Sequence, residues 1–211
     1  MTEYFVPSGS GESEYDEKRS RFLGYVMPVD SEDAARDFIS SVKKKNYDAR
    51  HNCWCYIIRD GAERYSDDGE PQGTAGIPML EVFRKEGITN VVCVVTRYFG
   101  GVLLGAGGLL RAYTRAAKEA LDDAGVSVIR RRLEFLLTCS YSSADRLKSF
   151  IPSAGGCVTS MEYGENVLIH VSVPECLQDS FPSKIFDFSS GAVTAVLCGE
   201  SYGAEQVGER N

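Results

Sequence analysis

The stretch from Val91 to Leu121 leaves this chain few ways to fold. Val91-Val92-Cys93-Val94-Val95 is a run of apolar β-formers and reads as a strand buried on both faces. It feeds into Thr96-Arg97-Tyr98-Phe99-Gly100-Gly101-Val102-Leu103-Leu104-Gly105-Ala106-Gly107-Gly108, where five glycines fall within nine residues. From Leu109 the apolar positions recur at Tyr113, Ala116, Ala117, Ala120 and Leu121, the stripe of a helix laid on a core. A doubly covered strand running into such a helix implies layers of helix and sheet. Arg111, Arg115 and Lys118 are out of phase with the stripe, so their spacing puts them on the helix's outer face.

Glycine at a strand-to-helix connection has two uses. It allows a tight turn and close helix packing, or it lets a ligand approach the main chain. The free N–H groups at a helix start, with the dipole behind them, favour an anion. Arg97 and Arg111 flank that start and can add charge-assisted bonds to phosphate. The spacing is neither a Walker A loop nor a dinucleotide fingerprint, since no Gly-Lys-Ser/Thr closes it.

Upstream lies a second unusual run, Ser66-Asp67-Asp68-Gly69-Glu70-Pro71-Gln72-Gly73-Thr74-Ala75-Gly76-Ile77-Pro78. Asp67, Asp68 and Glu70 can hold Mg²⁺, pair with Arg97 and Arg111, or cap a helix starting near Ile77, with capping and pairing favoured. Cys53 and Cys55 share a strand face near His51, but no second ligand cluster completes a metal site. No metal and no cofactor are expected. His51 is the candidate acid–base residue of this region, with a structural role equally open.

The chain of 211 residues carries a net charge of −7, which argues against a strong nonspecific nucleic-acid binder. The charge is uneven: residues 1–134 sum to −2 and the remainder to −5, so any polyanion site belongs to the first part. Seven cysteines without a C-x-x-C pair suit reduced thiols. With no signal-like start and no apolar run of membrane-spanning length, a cytoplasmic protein without membrane association is expected.

Before the glycine-rich run the pattern predicts a first strand near Ser13 and a second over Phe22–Val26, ending at Pro28. A helix capped by Ser31 follows, burying Ala35, Phe38, Ile39 and Val42 and closing on Lys43-Lys44-Lys45, which suits its negative end. A core strand over Asn52–Arg59 carries Trp54, and a helix from Ile77 ends at Gly87. Gly125 and Arg130-Arg131-Arg132 read as a junction. Beyond it come a strand over Leu133–Ser140, a short helix, a hairpin turning at Gly164-Glu165, a helix from Pro174 that must kink or begin late at Pro182, and a strand over Ala192–Cys198. The order β-α-β-β-α-β is that of a ferredoxin-like domain. The expected division is 1–132, 133–200 and a disordered tail over 201–211.

The run from Arg97 to Tyr113 resembles the signature of the YigZ/IMPACT family, and so does Ser66–Pro78. Lys18-Arg19-Ser20-Arg21-Phe22 and Ala49-Arg50-His51-Asn52-Cys53 are weaker echoes. The resemblance implies an α+β protein of two domains. The first would be like domain IV of elongation factor G and the second domain of a small-subunit ribosomal protein; the ferredoxin-like second would be like domain V of that factor. Eukaryotic relatives carry an additional N-terminal domain and restrain a translation kinase by competing for its activator, and that role is not expected of this chain.

The expected function is translation-associated regulation by binding structured RNA or the ribosome. Its expected site is Arg97, Gly100, Gly101, Gly107, Gly108, Arg111 and Arg115, with Asp67, Asp68, Glu70 and His51 nearby. Two alternatives stand beside it: an enzyme acting on a phosphorylated small molecule, since a sugar and mevalonate kinase superfamily uses the same fold, and a protein–protein regulator. No nucleophile with a paired base is evident.

Overall fold

The computed structural model describes residues 3–206 and, within them, two sheets and five α-helices in a mixed α+β arrangement. The chain divides into two compact units, Tyr4–Val128 and Ile129–Gly203, with Glu3 grouped with the second and residues from Ala204 with the first.

The first unit begins with β1 (Tyr4–Pro7), β2 (Gly11–Glu17) and β3 (Ser20–Pro28). Helix α1 (Glu32–Lys45) follows, with Ser31 Oγ accepting the Ala34 N–H and Glu32 and Asp33 in its first turn, both suited to a positive helix start. Then come β4 (His51–Ile57), β5 (Glu63–Ser66) and α2 (Gly76–Glu86), which stops at Gly87 in the left-handed region, φ 67°. β6 (Val91–Tyr98), α3 (Ala106–Ala124) and the start of β7 (Val126–Cys139) complete it.

Its sheet runs β2-β3-β6-β4-β5, with antiparallel neighbours throughout. β6 lies at the centre, which is why its side chains are apolar in both directions. Val91, Cys93 and Val95 face a core shared with α2 and α3, while Val92 and Val94 face a second core under α1. β4 obeys the same alternation: Cys53, Cys55 and Ile57 join the α2–α3 core, and Trp54 and Tyr56 lie on the α1 side.

In the second unit β7 continues into α4 (Tyr141–Phe150), β8 (Cys157–Tyr163), β9 (Val167–Pro174), α5 (Ser180–Phe188) and β10 (Ala195–Gln206). The strand order β10-β7-β9-β8 carries the expected β-α-β-β-α-β connectivity. Val167, Ile169, Val171 and Val173 share the face that α4 and α5 cover through Leu147, Phe181 and Ile185. His170, on the other face, sits 3.2 Å from Glu162.

Several expectations need correction. The first strand starts at Tyr4, well before Ser13, because β1 pairs with β7, a partner more than a hundred residues away. The two units divide beside the expected junction, between Val128 and Ile129, but the strand expected from Leu133 begins at Val126, so Arg130-Arg131-Arg132 lies inside β7, where Arg131 is held by Glu175 and Glu200. α5 begins late, at Ser180, so Pro182 lies in the first turn, where a missing N–H costs nothing. The tail expected to be disordered from 201 continues as β10 through Gln206, which pairs with β7; residues 207–211 lie outside the described residues.

Candidate functional site

Asp67, Asp68 and Glu70 leave the end of β5 close together in sequence and are then drawn apart. The Asp67 carboxylate accepts three backbone N–H groups, from Gly73 at 2.8 Å, Ala75 at 3.0 Å and Gly76 at 2.8 Å, and so caps α2 from outside the helix. Asp68 takes Lys43 Nζ at 2.7 Å and the Asn52 N–H at 2.7 Å. Its carbonyl oxygen lies 2.9 Å from His51 Nδ1. A carbonyl only accepts, so Nδ1 carries the proton there. Of the roles open to these carboxylates, capping and ion pairing are the ones their geometry occupies.

Glu70 goes inward. Its Oε1 accepts from Arg97 Nη1 at 2.7 Å and from the Tyr113 hydroxyl at 2.8 Å. Arg97, expected to reach toward phosphate, is instead buried between the rings of Phe22 and Phe99, whose centroids lie 5.6 and 5.5 Å from its guanidinium. Its Nη2 also meets Ser20 Oγ at 3.3 Å, and Ser20 Oγ in turn accepts the Gly100 N–H at 3.2 Å. Arg97 Nε is buried with no partner. Behind this pair, burial pushes both the Tyr113 hydroxyl and the Cys53 thiol well above their ordinary pKa values. Cys53 donates to the Asp67 carbonyl at 3.0 Å, so both groups are locked in the protonated form. One hydrogen-bonded set thus ties the acidic loop to β6 and α3.

In front of the pair opens a cavity of about 440 Å³, walled by Arg50, His51, Glu70, Arg97, Phe99, Leu103 and the α3 entrance at Gly105 and Ala106. No side chain caps that entrance. The first internal bond of α3 is Leu109 N–H to Gly105 C=O at 3.0 Å, so the N–H groups of Ala106, Gly107 and Gly108 precede the ladder. Gly107 and Gly108 are therefore helical, not part of the loop.

The glycines divide by cause. A Cβ on Gly100 would lie 2.0 Å from the Arg19 carbonyl, so this glycine exists to let the β2–β3 hairpin tip press onto the loop. A Cβ on Gly107 would meet nothing closer than Arg111 Nη1 at 3.7 Å. The chain's own packing asks for no glycine there, although glycine inside a helix costs about 0.5–1 kcal/mol relative to alanine.

The hairpin tip supplies what the sequence reading missed. Lys18 and Arg19 both have positive φ, 45° and 69°, which non-glycine residues rarely adopt. Both are exposed, and their signal was the Lys18–Phe22 motif itself. Arg50 and Phe99 lie inside recognised motifs but had no role assigned from the sequence. Lys18, Arg19, Arg50 and Arg111 have no ion pair or side-chain hydrogen bond among the described residues. Arg115, by contrast, is engaged by Glu119 at 2.7 Å and lies over the Tyr15 ring.

Comparison with known proteins agrees with these motifs. The Impact N-terminal domain matches residues 18–121, and a domain of unknown function, DUF1949, matches residues 137–192. The chain is 37% identical over 191 residues to the IMPACT family member YvyE of Bacillus subtilis, covering 89% of this chain and 88% of that protein. It is 33% identical over 197 residues to YigZ of Escherichia coli, covering 92% and 97%. The Protein IMPACT homolog of Dictyostelium discoideum is 37% identical over 95 residues, which are 42% of this chain and 27% of that one. A crystal structure of a hypothetical protein, 32% identical, superposes with a TM-score of 0.59 over 94% of this chain and 98% of its own. Matches of that identity over nearly the full length of both partners mean that the chain belongs to the IMPACT family.

Proposed function

We propose that the first unit binds the phosphate backbone of a structured RNA, free or on the ribosome, at the entrance of α3, in a translation-associated role. The observation that carries this reading is that Arg50 in the cavity wall and Arg111 on the first turns of α3 are unpaired among the described residues beside a helix start with no capping side chain, with the exposed Lys18 and Arg19 on the hairpin tip that packs against Gly100. Unpaired cations beside free N–H groups have phosphate as a natural partner. Gly107 supports the same reading, since its missing Cβ leaves the backbone at the helix start open to a group approaching from outside. The likeness to domains IV and V of elongation factor G, inferred from sequence, points toward translation, although fold alone does not carry function. No Ser–His or Cys–His pair lies within hydrogen-bonding distance in the cavity wall among the described residues, which favours binding over turnover.

The test is RNA affinity as a function of salt. A structured RNA hairpin should bind with a log–log salt slope that falls by about 0.9 for each phosphate contact removed. Arg111→Ala and Arg50→Ala should each flatten it, and Arg115→Ala less, because Glu119 already holds that guanidinium. An unchanged slope in the Arg50→Ala, Arg111→Ala double variant, or no RNA affinity at low salt, would overturn the reading.

A further inference from the structure

The opposite face of the same sheet carries a second depression, of about 500 Å³, beside α1. That volume lies within the roughly 300–1,000 Å³ of small-ligand sites. Its floor is aromatic. Trp54 and Tyr56 project from the same side of β4 as a stacked pair, with ring planes 7° apart and centroids 5.7 Å apart; Tyr56 is buried and backs the half-buried Trp54, whose ring is the shelf on this strand. Tyr47, just past the end of α1, stands 86% exposed at its edge, far more than a tyrosine held for packing.

The wall is cationic. Arg36, Lys43 and Lys44 stand at i, i+7 and i+8 on α1, one flank of the helix. Glu32 and Asp33 hold Arg36, and Asp68 holds Lys43. Glu32 also accepts from the Tyr56 hydroxyl at 2.6 Å. Lys44 has no ion pair among the described residues. The pairs of Arg36 are exposed and contribute little, so Arg36 exchanges readily for a phosphate oxygen, whereas Lys43 is held more firmly in a part-buried pair with Asp68. Read from sequence, Lys43–Lys45 is a dipole-matched helix end; with the aromatic shelf beside it, the cluster has a second use.

We infer that this groove binds unpaired nucleotides of a single-stranded nucleic acid, bases on the shelf of Trp54 and Tyr47 and phosphates on Lys44 and Arg36, with Lys43 beside them. Accessible aromatic rings beside a row of cations are how single strands are held without sequence preference. An acidic peptide would use the cations but leave the shelf idle. The groove faces away from the α3 cavity, so this assignment stands whether or not that cavity takes phosphate.

Trp54 is the only tryptophan in the chain, so its emission reports this groove alone. Titrating the full-length protein with a short single-stranded oligouridylate should quench that emission to saturation. The same oligomer annealed to oligoadenylate should not. Tyr47→Ala should weaken the apparent affinity roughly tenfold, the loss of one base–aromatic stack, and Lys44→Glu should weaken it too. Both side chains are exposed, so neither change threatens folding. Arg50→Glu with Arg111→Glu should leave the quench in place, whatever it does to binding of a structured hairpin. Absence of quenching, equal quenching by the duplex, or quenching by polyglutamate that Tyr47→Ala does not alter would overturn the assignment.

Discussion

Arg97 and Glu70 form a buried ion pair, 2.7 Å apart with side chains 6% and 3% exposed, joining the central strand of the sheet, β6, to the acidic loop. Removing one partner strands the other's charge without water, a loss of about 3–5 kcal/mol. Glu70→Ala should therefore lower the urea midpoint steeply, while the double change Glu70→Leu, Arg97→Met should recover most of the loss. Equal destabilisation in the single and double variants would mean that packing, not the stranded charge, is what the pair supplies.

Asp67 should matter through α2. Its carboxylate satisfies three N–H groups at and before the helix start, so Asp67→Ala should cost at least the roughly 0.5–2 kcal/mol of a lost cap. Asp67→Asn keeps one acceptor oxygen and should fall between. Amide exchange at Ala75 and Gly76 is the direct check, since these donors should lose protection in the alanine variant.

Gly107→Ala should separate stability from binding. The added methyl meets only Arg111 Nη1, at an ordinary contact distance of 3.7 Å, and removes part of glycine's helix penalty, so thermal stability should rise by the equivalent of up to about 0.5–1 kcal/mol. RNA affinity should drop, because the methyl stands where a phosphate would approach the N–H groups of α3. A stabilised variant with full affinity would remove this helix start from the site.

Stability should decline in alkali. Burial raises the Cys53 thiol and the Tyr113 hydroxyl above their ordinary values of 9.0 and 10.0 in the folded chain. Above those values the unfolded chain has released protons that the folded chain still holds, so the folding equilibrium shifts toward unfolding as pH rises. Their contribution is complete below about pH 8 and should shrink toward about pH 10. Cys53→Ser keeps a donor for the Asp67 carbonyl but does not titrate there, so its alkaline decline should be shallower, as urea midpoints across that range would reveal.

The alternation along β6, the stripe on α3, the Ser31 cap and the Gly87 stop were all legible in the sequence, because each is set by side chains within one turn or one strand. The two long motifs were equally legible as a family signature. What the tertiary structure decided was long-range. β1 and the end of β10 exist because each pairs with β7, and no local pattern announces a partner so distant. The same holds at the site. Arg97, Glu70, Asp67 and Arg111 look alike as charges on a string, yet burial turns Arg97 and Glu70 onto each other, Asp67 is consumed by a helix start, and Arg111 remains in solvent. Sequence determines which groups are present. Which of them are left over to meet a ligand depends on the partners the fold brings within about 3 Å, the reach of a hydrogen bond.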